Sequence, residues 1–213
     1  MAEARRPQTR PRGGPGAGQL VLASRSPRRE ELLRAAGIAF RVVVPGPEVE
    51  EAASGTARSG YARLAQRAAL AKARWVAARE LGLVLGADTI VVCQGQVLGK
   101  PANPEEARRM LAQLSGRWHA VYTGIALVRG QLAHTGWERT EVAFRPLSKA
   151  EIERYVRTGE PLDKAGGYAI QGEGAALVRA VRGCYTNVIG LPVPKLLAML
   201  AAFPGRGRGA GSG

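Results

Sequence analysis

Arg28 and Arg29 follow Ser24-Arg25-Ser26-Pro27, where the apolar run Leu20-Val21-Leu22-Ala23 gives way to an amphipathic stretch carrying the Leu32/Leu33 pair. The pattern predicts a short buried strand turning into a helix over 30–36. Ser26 suits the N-cap and Pro27 the first helical position, where a missing amide hydrogen costs nothing. The two arginines then occupy a first turn whose positive dipole end favours acidic residues. A phosphate held by free amides, serine hydroxyls and arginine forks accounts for them. So do two exposed arginines that cost the helix roughly a few tenths of a kcal/mol.

Other residues fit the same chemistry. Asp88 stands inside the apolar run Leu83 to Val92, which reads as a central strand buried on both faces. An unpaired carboxylate is costly there, so Asp88 either emerges at a break marked by Gly86 or has a cation beside it. Lys100, between Gly99 and Pro101, reads as a fixed lysine at a loop. Glu48, Glu50 and Glu51 form an acidic cluster in a basic chain; it is either a solvated loop or, beside a phosphate site, a source of carboxylates for magnesium or manganese. Lys72 borders the apolar stripe of a long helix, from where it snorkels to water or reaches into a cleft. Residues 160–172 are polar and glycine-rich, with too many binding groups for an idle connection. Charged residues of this kind suit metal-assisted phosphoryl chemistry, in which charge neutralisation and a positioned water carry the reaction.

Other chemistries are excluded. There is no G-x-x-x-x-G-K-[ST] loop, G-x-G-x-x-G fingerprint, H-E-x-x-H pair or G-x-S-x-G elbow, and neither His119 nor His134 has the partners of a triad. Cys93 and Cys184 read as two inert thiols.

These residues need elements to hold them. Strands are predicted at Ala39 to Val44, Leu83 to Val92, Val121 to Val128, Leu132 to Phe144 and near 176–181. Helices are predicted at 57–80, after the Asn103 cap as far as Leu114, from the Ser148 cap to Arg157, and from Leu191 to Phe203. Interleaved strands and helices with hairpins imply an α/β fold, a mixed sheet flanked by helices. The 213 residues hold 31 Lys+Arg against 17 Asp+Glu, a net +14. Residues 1–18 and 204–213 have too few apolar residues to pack and read as disordered basic tails flanking one domain at 19–203; that body keeps +9 and favours anionic partners. No signal-peptide core and no run of 18 apolar residues is present, which points to the cytoplasm and away from membranes.

Taken together, the segments resemble the Maf proteins, a family of nucleoside triphosphate pyrophosphatases. The matching pieces are Leu22 to Leu33, Gly86-Ala-Asp-Thr-Ile-Val91, Leu98-Gly-Lys-Pro101, Leu114-Ser-Gly-Arg-Trp-His119, Thr123-Gly124, Glu160 to Gly172 and Asn187-Val-Ile-Gly-Leu-Pro192. The resemblance implies a central nucleotide cleft in a Maf/ITPase-like fold and hydrolysis between the α and β phosphates with a divalent cation, magnesium or manganese. It implies that Ser24, Arg28 and Arg29 lie at the phosphates and that Asp88 is the general base or metal-linked carboxylate. Lys100 would stabilise developing charge, and Glu51 would be a second catalytic, metal-binding acid. Lys72 would join the substrate contacts, and Gln171 would meet the base. A longer loop at Pro45-Gly46-Pro47 leaves Glu48 and Glu50 open beside Glu51, and Lys72 stands later in its helix than the family's compact lysine pattern. The run Asp163-Lys-Ala-Gly-Gly-Tyr-Ala-Ile-Gln-Gly172 is similar to the branch acting on dTTP and UTP, whereas the branch preferring 7-methyl-GTP has a Ser-Phe-type sequence there. A housecleaning role and a homodimer are further implications. Rival readings are a nucleic-acid-binding protein, supported by the charge and tails, and a division-regulating protein.

Overall fold

The computed structural model describes residues 19–52 and 60–204, with the backbone alone for 50–52. The expected tails lie outside the described residues, Pro204 excepted.

Among the described residues the sheet has seven strands. β1 (Leu20–Ala23) lies between β2 (Phe40–Val42) and β3 (Leu83–Cys93), parallel to both. β3 pairs antiparallel with β4 (Gln96–Leu98) and β5 (Trp118–Arg129); β5 pairs with β6 (Leu132–Phe144), and β6 with β7 (Val178–Arg182), also antiparallel. The order β2-β1-β3-β5-β6-β7 is therefore a mixed sheet, as the alternation of helices and hairpins predicts.

Among the described residues seven α-helices accompany it: α1 (Pro27–Ala35), α2 (Pro47–Ala52), α3 (Tyr61–Ala77), α4 (Pro104–Leu114), α5 (Lys149–Arg157), α6 (Tyr185–Ile189) and α7 (Val193–Ala202). α4 and α5 start where their caps predict: the Glu106 amide donates to Asn103 Oδ1 at 2.9 Å, and Ser148 forms a full capping box with Glu151. Hydrogen bonds from Ser148, backbone first, together with Arg145 hold the Glu151 carboxyl down to about 2. Four expectations are corrected. The acidic run at 48–51 is the helix α2 rather than a loop, α3 starts after Gly60 and ends at Ala77 instead of filling 57–80, of which 57–59 lie outside the described residues, α7 begins after Pro192, and α6 has no counterpart in the sequence pattern. A five-residue helix is too short to show a period.

The core has three parts. On one face of β1, β3 and β5, α3 lays Ala69, Ala73 and Val76 on Val21, Val84 and Ala126. On the other face, α1 and α7 bring Leu33, Leu196 and Leu200 onto Leu22, Leu85 and Ile125. Toward the far ends of β3 and β5, α4 and α5 pack Leu111, Leu114, Ile152 and Tyr155 with Val91, Val121 and Phe144. β3 runs through all three clusters. It is buried from Leu83 to Ala87 and from Val91 to Cys93 but partly open at Asp88, Thr89 and Ile90, so the gap between clusters falls on those residues. No helix among the described residues is long and apolar enough to cross a membrane.

Candidate active site

A cleft of about 690 Å³ occupies that gap. Ser24, Arg28 and Arg29 border it from the β1–α1 turn, Lys72 from α3, Asp88 and Thr89 from β3, Lys100 from the segment after β4, and Asp163, Lys164, Tyr168 and Gln171 from the glycine-rich segment. Seven candidates from different parts of the chain, Ser24, Arg28, Arg29, Lys72, Asp88, Lys100 and Gln171, thus share one space.

Successive strand residues face opposite sides of the sheet, and β3 uses this to serve both walls of the cleft. Asp88 faces α3, where Lys72 Nζ donates to its Oδ1 at 2.6 Å; the two side chains are 21% and 12% exposed. Of the two ways to tolerate Asp88 in an apolar run, the structure uses the cation. Gly86 marks no break, because β3 continues through it. Its role is steric: a Cβ there would lie 2.2 Å from the carbonyl oxygen of Ala69, and one at Gly124, the partner of Asp88 in β5, 2.3 Å from the Ala65 carbonyl. The two glycines let α3 lie directly on the sheet, which brings Lys72 down to Asp88.

Thr89 faces α1. There Arg29, buried one helical turn before the buried Leu33, donates from Nε to Gly190 O at 2.8 Å, from Nη1 to Ser24 Oγ at 3.1 Å and from Nη2 to Thr89 Oγ1 at 3.2 Å. The arginine that the dipole argument placed at a phosphate ties α1 to β1, β3 and the end of α6. Arg28, one residue earlier and about 100° round the helix, is half-buried at the cleft. Neither Arg28 nor Lys100 forms a hydrogen bond or close ion pair among the described residues, so both are available to an anion. Ser26 occupies the N-cap without a side-chain cap bond; its amide instead donates to Ser24 Oγ at 3.1 Å.

The far wall is built from the glycine-rich segment. Lys164 donates to Glu160 O at 2.7 Å and pairs with Asp163. Burial pushes the Asp163 carboxyl up, but the Lys164 hydrogen bond and the charges of Lys164 and Arg28 outweigh it and leave it below its ordinary value. Glu160 accepts Tyr155 Oη at 2.9 Å and the amides of Glu173 and Gly174 at 3.2 and 3.3 Å, while Tyr155 Oη accepts the Ala169 amide at 3.0 Å. This clamp holds both ends of the stretch that presents Gln171. Tyr168, buried beneath it, meets His119 Nε2 at 2.8 Å in an edge-on trio with Phe144. Burial drives His119 down to about 4, against a weaker opposing hydrogen bond at Arg117, so its ring is neutral at pH 7.

Of the acidic cluster, Glu48 accepts Trp75 Nε1 at 2.8 Å, and the side chains of Glu50 and Glu51 lie outside the described residues. Sequence reasoning missed Thr89, Thr123 and Glu160 as parts of the site. The Thr89–Thr123 contact follows from strand pairing, which no local pattern announces.

The chain is 55% identical over 186 residues to a dTTP/UTP pyrophosphatase of Symbiobacterium thermophilum, covering 87% of this chain and 94% of that one. It is 51% identical over 193 residues to one of Moorella thermoacetica, covering 87% and 95%. Among solved structures, the Staphylococcus aureus Ham1 protein is similar with a TM-score of 0.43 and 13% identity, over 75% of this chain and 79% of that one. The family model described as Maf-like protein matches residues 19–203, and the chain belongs to the Maf family.

Proposed function

We propose that this protein hydrolyses dTTP and UTP to the nucleoside monophosphate and pyrophosphate. The observation that carries the proposal is the Lys72–Asp88 pair at the floor of a cleft bordered by the unpaired cations Arg28 and Lys100. The relatives' names and the dTTP/UTP-like sequence at 163–172 support the choice of pyrimidine nucleotides.

Lys72 holds one carboxylate oxygen of Asp88, which leaves the other to accept a proton from water. That water forms the new phosphorus–oxygen bond as the α–β anhydride bond breaks, and pyrophosphate leaves. Arg28, Lys100 and the Ser24 hydroxyl bind phosphate oxygens and offset the charge that builds on them. Gln171, presented by the Glu160–Tyr155 clamp, contacts the base.

Among the described residues no cluster of three acidic, histidine or cysteine side chains forms a metal cage. A magnesium site needs only one or two carboxylates beside phosphate oxygens, so Asp88 fits as one such ligand; Glu51, whose side chain lies outside the described residues, is the second acid that the family resemblance implies. When bound, the magnesium or manganese ion supplies Lewis-acid stabilisation of phosphate charge. A cytoplasmic location, a homodimer and a housecleaning role in nucleotide pools belong to the same proposal.

The test is pyrophosphate release from dTTP, UTP, 7-methyl-GTP and the standard triphosphates with magnesium or manganese, for wild type beside D88N. Fast turnover of dTTP and UTP that D88N abolishes is the expected result. A folded wild type that cleaves no triphosphate overturns the proposal, and preference for 7-methyl-GTP overturns its choice of base.

A further inference from the structure

We infer that Thr123, a fully buried residue that does not border the cleft, is a positioning residue for this reaction: its hydroxyl, anchored on the Asn187 carbonyl, fixes Thr89 as an acceptor for Arg29 and so holds the arginine that bonds Ser24. The inference rests on the function proposed above.

The argument is proton counting. Thr123 Oγ1 lies 3.0 Å from Asn187 O and 2.9 Å from Thr89 Oγ1. A carbonyl oxygen has no hydrogen to give, so the single hydroxyl proton of Thr123 goes to Asn187 O. Thr123 must then accept from Thr89, whose one proton is thereby used. Thr89 Oγ1 is left to accept from Arg29 Nη2 at 3.2 Å, and a guanidinium can only donate. The opposite polarity would set the buried Thr123 and Asn187 oxygens against each other with no hydrogen between them.

The anchor is itself fixed. Asn187 is fully buried, its amide donates to Cys184 O at 3.1 Å, and its Nδ2 donates to Val121 O at 3.1 Å and Thr140 Oγ1 at 3.0 Å. The chain ends at the cleft. Ser24 Oγ accepts from Arg29 Nη1 and from the Ser26 amide, each at 3.1 Å, so both its lone pairs are occupied. Its own proton is therefore free to donate, and Ser24 borders the cleft. Two donors thus leave Ser24 a donor suited to a phosphate oxygen, and Thr123, through Thr89, holds one of them, Arg29, in place.

Removing the Thr123 hydroxyl strips Thr89 of its acceptor, frees it to turn, and loosens Arg29 from Ser24. The variants are T123V, nearly isosteric without the hydroxyl, and T123S, which keeps it. Pyrophosphate release gives KM and kcat, and calorimetry with inorganic tripolyphosphate reads the phosphate site without turnover. T123V is expected to raise KM and weaken tripolyphosphate binding by about tenfold, the size of one lost hydrogen bond to a buried charged network, while T123S stays at the wild-type values. A merely structural residue would not show coupling, so the decisive arm is S24A: in that background T123V should cost little more, because the route it acts through has gone. Should T123V fail to fold, T123C, whose thiol is a weak donor, replaces it in the same comparisons.

The inference is overturned if T123V matches wild type, if T123S is as impaired as T123V, or if the losses of T123V and S24A simply add. A wild type that cleaves no triphosphate defeats the proposed function alone, since the tripolyphosphate arm still judges Thr123.

Discussion

Replacing Gly86 by alanine adds one methyl group beneath α3 and tests whether close docking of that helix sets the catalytic geometry. The new Cβ would lie 2.2 Å from Ala69 O, 2.9 Å from Ala73 N and 3.0 Å from Ala73 Cβ. Two of these are backbone atoms of α3, so no side-chain rotation relieves the clash, and α3 or β3 has to move by roughly 1 Å to restore ordinary contact. Lys72 lies one residue before Ala73 and moves with it, which stretches its 2.6 Å bond to Asp88 past hydrogen-bonding range. Overpacking of this kind costs about 1–3 kcal/mol of stability, and a misplacement of about 1 Å at reacting groups costs about 100-fold in rate. The assay is kcat/KM for dTTP with a thermal melt on the same preparation, and G124A, whose Cβ would meet the Ala65 carbonyl at 2.3 Å, as the companion variant. Both variants are expected to melt lower and to lose activity while still folded at 25 °C. A G86A protein with wild-type kcat/KM would refute the reasoning, because Lys72 and Asp88 could then not depend on the approach of α3.

Three more outcomes follow from the site. R29K should lower both the melting temperature and activity nearly as much as R29M, because one ammonium cannot span Gly190, Ser24 and Thr89 as the guanidinium fork does; wild-type behaviour of R29K would contradict that role. His119 is depressed to about 4 in the folded protein from an ordinary 6.5, so the unfolded chain binds the extra proton first as pH falls. Stability is full above 6.5 and declines toward 4 by up to about 3 kcal/mol, and H119F should flatten that part of a denaturant-midpoint profile. E160A removes the acceptor for Tyr155 and for two amides of the Gln171 segment; KM for dTTP should rise and proteolysis near 172–174 quicken, whereas unchanged values for both would remove Glu160 from the clamp.

The elements that sequence reveals are those whose signal is local. The caps at Asn103 and Ser148 and the apolar run of β3 each depend on neighbours a few residues away, and each appears where expected. The cation beside Asp88 is predictable in kind but not in identity, since Lys72 is 16 residues away and its approach depends on the absence of a side chain at Gly86 and Gly124, a steric role that no local pattern announces. Arg29 misled for a related reason: its sequence neighbours describe a helix start, whereas its partners Thr89 and Gly190 arrive from 60 and 161 residues further on. The acidic run at 48–51 shows charge and no apolar period, which hides its helix, although Pro47 at its head suits a first helical turn.

The same two glycines also govern which cation each residue of β3 meets. A slip of one residue in a strand exchanges its faces, so a shifted β3 would turn Thr89 toward Lys72 and Asp88 toward Arg29, and the acid would leave the wall opposite α3. Such a slip would also bring Leu85 or Ala87 under Ala69 O, where the space excludes even the Cβ of alanine. In β5, Gly124 imposes the same restriction beneath Ala65, and it is the residue paired with Asp88. The register of the sheet is therefore fixed at the catalytic position by what cannot fit beneath α3, and only that register places a lysine on the acid and an arginine on the threonine beside it.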